Sequence, residues 1–294
     1  FPIQLLASPT AKQVIEVNKP IEYGGYIAKS FNKGDVTLSY FDGYDRLFSP
    51  VGFNVWDWEG SNSAKPLLDA VFSYRKTEVV GMGTVLFLGD LTLRGDFAYF
   101  TTKDPSINLF ELEYLGPSLS ESQKENIYTE IRETDSRTFK TNAEYFQTNF
   151  QFEYELPWDL QIAGQYIKYD TLKYFDDFGR VTIDLPNLEI DFAPADYFFP
   201  SVGTNIALLT NSVLLVDITK TLYDNRAQLN LSTMMDQIQS GKLIELGFGY
   251  DINESLNSYL AVSKIIGDNS QDEEYAFTHM EDFSHIRLEL KYFY

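Results

Sequence analysis

The stretch His285–Tyr294, HIRLELKYFY, separates into two chemistries when its residues are taken alternately. Ile286, Leu288, Leu290, Tyr292 and Tyr294 fall on one side, and His285, Arg287, Glu289, Lys291 and Phe293 on the other. Residues two apart in a β-strand share a face, so this is a strand with one oily face and one charged face. Its reading decides the fold, because the oily face must meet either a protein core or lipid.

The same alternation recurs along the chain. In LTLRGDFAYF, Leu91, Leu93, Phe97 and Tyr99 oppose Thr92, Arg94, Asp96 and Ala98. In LIELGFGYDI, Ile244, Leu246, Phe248, Tyr250 and Ile252 oppose Glu245, Gly247, Gly249 and Asp251. RAQLNLSTM sets Leu229 and Leu231 against Gln228, Asn230 and Ser232, and NFQFEYEL runs into a tight turn at Pro157–Asp159. Period two dominates and a helical period is not seen. The pattern predicts eleven strands, near 21–31, 35–46, 72–88, 90–102, 137–156, 159–174, 207–222, 226–238, 240–252, 256–267 and 281–294.

Connections alternate in length. Those at Asn32–Asp35, Gly89–Asp90, Pro157–Asp159, Tyr223–Asn225 and Asn253–Ser255 are tight; those near 47–71, 103–136, 175–206 and 268–280 are long, with a short exception at Gln239–Gly241. Tight turns at one end and long loops at the other predict an all-β, transmembrane, antiparallel up-and-down β-barrel of the bacterial outer membrane, with 11–12 strands visible over 21–294.

Composition agrees. The net charge of −20 excludes nucleic acid as a partner, and the absence of Cys removes thiolate metal sites and Cys nucleophiles. Tyr 20 and Phe 23 against Trp 3 fit aromatic girdles at a membrane interface. No run approaches the roughly 20 apolar residues of a spanning helix. Acidic residues concentrate in the loops, as in DNSQDEE, and leave the oily faces nearly free of charge. A soluble β-sandwich would have to bury Arg94 with Asp96, Asp217, Glu245 with Asp251, and Arg287 with Glu289 and Lys291 in a dry core, each needing a partner. A water-filled lumen solvates them.

The closing pattern resembles the last strand of Gram-negative outer-membrane barrels, which end on an aromatic residue preceded by alternating apolar ones. The resemblance implies that Leu290, Tyr292 and Tyr294 form the signal read by the barrel-assembly machinery. LSYFDGYDR (Leu38–Arg46), LGDLTLRGDFAYFTTKD (Leu88–Asp104) and MEDFSHIRLELKYFY (Met280–Tyr294) resemble a family of large, uncharacterised proteobacterial outer-membrane barrels similar to alginate-export-type porins. Such barrels have even strand numbers with both chain ends on the periplasmic side. Eleven strands break that rule. Either residues 1–17 supply a twelfth strand, or this is the carboxy-terminal part of a larger barrel, residues 1–20 being an entry segment on the external side or the remnant of an upstream strand. Pro2, Pro9 and Pro20 favour the second.

The lumen is the expected seat of function. Its candidate lining is Arg94, Asp96, Asp217, Asn230, Glu245, Asp251, Arg287, Glu289 and Lys291, either as rings that select solutes or as mutually paired struts. The expected function is a channel passing small solutes or a polymer. The first alternative is a non-transporting barrel that docks other envelope proteins, and the second a rim-active hydrolase using HMEDFSH, with His279, His285, Glu281, Asp282 and Ser284. That stretch matches no nucleophile motif, so no enzymatic activity and no catalytic residue are expected. No cofactor or built metal site is expected, beyond a divalent cation held loosely by the acidic loops. Expected partners are the lipid bilayer and lipopolysaccharide, the assembly machinery and other envelope proteins.

Overall fold

A segment whose oily face is satisfied by its surroundings still has a row of backbone donors and acceptors, and these settle the architecture. The computed structural model describes residues 4–5, 14–15, 21–58, 67–105, 131–185, 188–198, 210–267 and 276–293. Its strands in chain order are β1 (Gln4–Leu5), β2 (Val14–Ile15), β3 (Tyr23–Phe31), β4 (Gly34–Tyr44), β5 (Ser49–Trp58) and β6 (Leu67–Ser73). There follow β7 (Lys76–Leu88), β8 (Leu91–Lys103), β9 (Ile131–Thr138), β10 (Asn142–Leu156), β11 (Leu160–Phe175) and β12 (Val181–Leu185). The rest are β13 (Leu188–Phe192), β14 (Ser212–Leu222), β15 (Ala227–Asp236), β16 (Lys242–Asn253), β17 (Leu256–Ile266) and β18 (His285–Tyr292), with an α-helical turn, α1 (Ala276–His279), and 3-10 turns at Pro194–Tyr197 and Glu281–Phe283.

Eleven strands form one antiparallel meander in the order β3-β4-β7-β8-β10-β11-β14-β15-β16-β17-β18. They are the eleven alternating segments of the sequence. The tight turns have the backbone that right-twisted ribbons require: Trp158 and Asp159 take φ of 69° and 54° between β10 and β11. At Gly34 a Cβ would collide with the Val85 carbonyl oxygen, so only glycine lets β4 pass β7 there.

Pairing runs steadily out of step with the strand ends. Asp35, beside the β3–β4 turn, pairs with Val85, Val85 with Arg94, Arg94 with Gln151, and Gln151 with Gln165. The row continues through Leu215, Met234 and Leu243 to Ile265, next to the loop end of β17. One cross-strand row thus climbs from the turn end to the loop end, which is the stagger that tilts strands in a barrel wall. Among the described residues the two edges, β3 and β18, pair on one side only. With eleven strands they run in the same direction, so an antiparallel seam between them takes one strand more. Residues 1–20 do not provide it among their described part, because β1 and β2 lie parallel to β6 on the loop side.

The long loops carry strands of their own. β5 pairs with β6 and β9, and β12 with β13. A projecting ribbon satisfies backbone groups that a bare loop of that length would leave to water.

Burial alternates with the pleat. Along β17, Leu260, Val262, Lys264 and Ile266 are exposed while Ala261, Ser263 and Ile265 are buried. On β18 the apolar outward residues Ile286, Leu288 and Leu290 are 73%, 70% and 67% exposed. This is an inside-out distribution for water and the expected one for hydrocarbon. A charge introduced on the oily face should therefore block insertion. We expect Leu246→Arg to cost about 2–4 kcal/mol and Ser232→Arg, on the inward face of the adjacent strand, close to nothing, read as the urea midpoint for folding into lipid vesicles.

Candidate functional site

The register places all nine lumen candidates on the inward face and sorts them into separate groups. Arg94 donates to Glu153 at 2.9 Å, and Gln151 donates to the same Glu153 oxygen at 2.8 Å. Arg94 thus pairs across β8–β10 and not with Asp96, its neighbour on β8. Asp96 accepts instead from the Asn149 amide at 3.4 Å, and Gln165 donates to Asn149 at 3.0 Å. Asp217 accepts from the Ser232 hydroxyl, which lies 3.4 Å from the Asn230 carbonyl oxygen. Asp251 accepts from Asn257 near the β16–β17 turn. The last strand holds a charge ladder: Arg287 lies 3.9 Å from Glu245 and 3.1 Å from Glu289, and Lys291 lies 3.1 Å from Glu289. Leu290 and Tyr292, of the assembly signal, face outward and are exposed, while Tyr294 lies outside the described residues.

Beside Arg94 and Asp96 lies a cavity of about 710 Å³, lined on the inward side by Asp35, Thr37, Ser39, Gly81, Gly83, Gln147 and Asn149. A Cβ at Gly83 would come within 2.9 Å of an Asp96 carboxylate oxygen, so glycine there leaves the acid room to lean along the wall. Alternation in NFQFEYEL already carried Gln151 and Glu153 on one face opposite Phe150 and Phe152. That signal was sufficient to add Glu153 to the lining.

At the loop end the inward face is covered. Thr77, Thr102, Ala143 and Tyr145 are buried, as are Tyr169, Val213 and Ile265. The Phe100 and Tyr145 rings stack at 4.5 Å, and Phe198 reaches both Tyr145 (6.0 Å) and Tyr174 (5.2 Å) from the connection after β13. Farther round, Phe277 of α1 packs against Ile265, with Met234, Leu243 and Met280 around it. Phe198 and Phe277 thus lie over the mouth.

A buried ion pair braces that mouth. Arg75 donates from Nε to Asp104 at 2.8 Å, with side chains 8% and 3% exposed. Asp104 also accepts from the Thr141 N–H at 2.8 Å, and the Arg75 guanidinium lies 5.1 Å over the Phe198 ring. Next to it Thr77 donates to Asp45 at 2.6 Å. The cluster ties the loop ends of β4, β7, β8 and β10 together. Nothing in the sequence marks it, since Arg75, Asp104 and Asp45 meet only through the register. Burial pushes the Asp45 carboxyl above the usual range against the pull of Thr77 and Arg75, and it raises Asp104 likewise against Arg75.

In HMEDFSH the serine and the second histidine make local backbone contacts. The Ser284 hydroxyl donates to the Glu281 carbonyl at 2.8 Å and accepts from the Ile265 N–H at 3.1 Å, a capping role at the head of β18. His285 Nδ1 lies 2.8 Å from the Phe283 carbonyl. Among the described residues no group of three or more His, Asp or Glu could hold a metal ion; residues 268–274, with most of the acidic loop, lie outside them.

Comparison with known proteins finds no matching family model and no matching curated protein. Solved structures similar in fold include three outer-membrane proteins. The outer membrane phospholipase A from Escherichia coli is 13% identical, with a TM-score of 0.28, covering 92% of this chain and 77% of that one. A loop-deletion mutant of OmpT, an outer membrane protein of Vibrio cholerae, is 12% identical with a TM-score of 0.32, covering 84% and 85%. The outer membrane phospholipase dimer of Salmonella typhi with bound calcium is 11% identical with a TM-score of 0.28, covering 92% and 77%. These values assign no chemistry to this chain. The expectation that it is no enzyme is corrected all the same: outer membrane phospholipases stand among the similar structures. The antiparallel meander, the outward oily face and the inward charges are those of a Gram-negative outer-membrane β-barrel.

Two predictions concern the mouth. Asp104→Ala leaves the Arg75 guanidinium buried without its carboxylate and should cost about 3–5 kcal/mol, seen as a lower thermal midpoint in detergent. Asp45 has a raised carboxyl, so its stabilising contribution is complete at low pH and is lost as pH rises through the folded-state value. Asp45→Asn keeps an acceptor for Thr77 and should raise the midpoint at pH 7, the gain vanishing as pH falls into the ordinary carboxylate range.

Proposed function

We propose that this barrel passes small polar solutes through its lumen, past a mouth narrowed by its own loops. The observation that carries the reading is the contrast between the two ends of the inward face. Below the mouth it carries hydrogen-bonding side chains, with the cavity beside Arg94 and Asp96. At the mouth it is covered by Phe198 and Phe277 on their aromatic and apolar seats. A purely structural barrel has no need of a trough of that size, and an unguarded one leaks.

Charge sets the preference. Asp35, Asp96, Glu153, Asp217, Glu245, Asp251 and Glu289 on the inward face outnumber Arg94, Arg287 and Lys291. Acidic walls concentrate cations within about a Debye length, ~8 Å at physiological salt. In planar bilayers the protein should give discrete conductance steps with reversal potentials on the cation side. Phe198→Ala should enlarge the step by opening the mouth. A flat trace at full reconstitution, unchanged by Phe198→Ala, would favour the closed, docking barrel.

A further inference from the structure

The outward face of β14 to β18 departs from the charge of the whole molecule. The chain is strongly acidic, yet among the described residues this face has no carboxylate; its charged groups are Lys220, Lys242 and Lys264. Lys220 sits near the turn end of β14, while Lys242 opens β16 at the loop end. Across the β16–β17 ladder Lys242 opposes Ile266 and Lys264 opposes Ile244, so the two lysines are diagonal neighbours. Both are exposed. Elsewhere on the outward face Lys76 pairs with Asp42, and Lys173 with Glu144 at 2.9 Å. Two like charges held diagonally on a lipid-facing wall repel each other unless an anion comes between them.

We infer that Lys242 and Lys264 form a docking site for the phosphate of a phosphorylated lipid headgroup in the external leaflet. Two ammonium groups supply the donors for one phosphate. Leu246 and Val262, next along the same face toward the turn end, are exposed and apolar, and an acyl chain attached to that phosphate lies over them. Charge above and hydrocarbon below match an anionic lipid, and a soluble anion fills only half of the site. The inference rests on the outward face meeting lipid and not on passage through the lumen, so a silent bilayer trace leaves it standing.

The test uses the full chain folded in uncharged detergent and titrated with a bisphosphorylated glycolipid, its dephosphorylated form, and inorganic phosphate, with bound lipid counted by native mass spectrometry. Wild-type protein should retain the phosphorylated lipid over the dephosphorylated one, less so as salt rises. Lys242→Gln and Lys264→Gln should each weaken retention about fivefold, and Lys220→Gln should leave it unchanged. Equal retention of the two lipids by the wild type overturns the inference, even should the variants fail to fold. Inorganic phosphate displacing the lipid at equal concentration reduces the site to a plain anion contact and overturns the lipid assignment.

Discussion

Hydrocarbon offers no hydrogen bonds, and that constraint organises the whole molecule. Every backbone donor and acceptor at membrane depth must find a partner in another strand, so the chain has to cross as paired ribbons. The same constraint decides the side chains. One face of each ribbon touches lipid and becomes Leu, Ile, Val, Phe and Tyr; the other touches water and is free to hold Arg94, Glu153, Asp217 and the Arg287–Glu289–Lys291 ladder. A soluble core would charge several kcal/mol for each such unpaired ion. Here the ions are half solvated and cross-linked, so their pairing shapes the bore at small energetic cost.

The parts that would leave backbone or apolar surface unsatisfied lie at the loop end. There the protein behaves as a soluble one does. Phe277, Ile265, Val213 and Tyr145 are buried, the Arg75–Asp104 pair is enclosed and hydrogen-bonded, and the loops build small sheets of their own. Among the described residues the mouth is thus the region with a conventional packed core.

The barrel was legible in the sequence because its signal is local. Alternation in stretches such as Leu91–Phe100 and Leu243–Ile252 needs only a two-residue period, and all eleven segments of the meander were marked by it. The same period placed the nine inward candidates on one face. What the sequence did not show was who pairs with whom. Arg94 meets Glu153, some sixty positions away, because β8 and β10 flank a long excursion, and no spacing rule predicts that register. The Arg75, Asp104 and Asp45 cluster was invisible for the same reason. Exclusion of enzymatic activity from missing motifs was the weakest inference, since a site assembled across strands leaves no linear motif to find.

The central claim is that the two faces of these strands meet different solvents. Because the chain has no native cysteine, single cysteines at successive positions from Leu243 to Asp251 can each take a nitroxide label without background. In lipid vesicles, collision with oxygen should peak at positions 244, 246, 248 and 250, and collision with a water-soluble nickel chelate at positions 245, 247, 249 and 251. A profile with no two-residue alternation, or with oxygen favoured on both faces, would contradict the account.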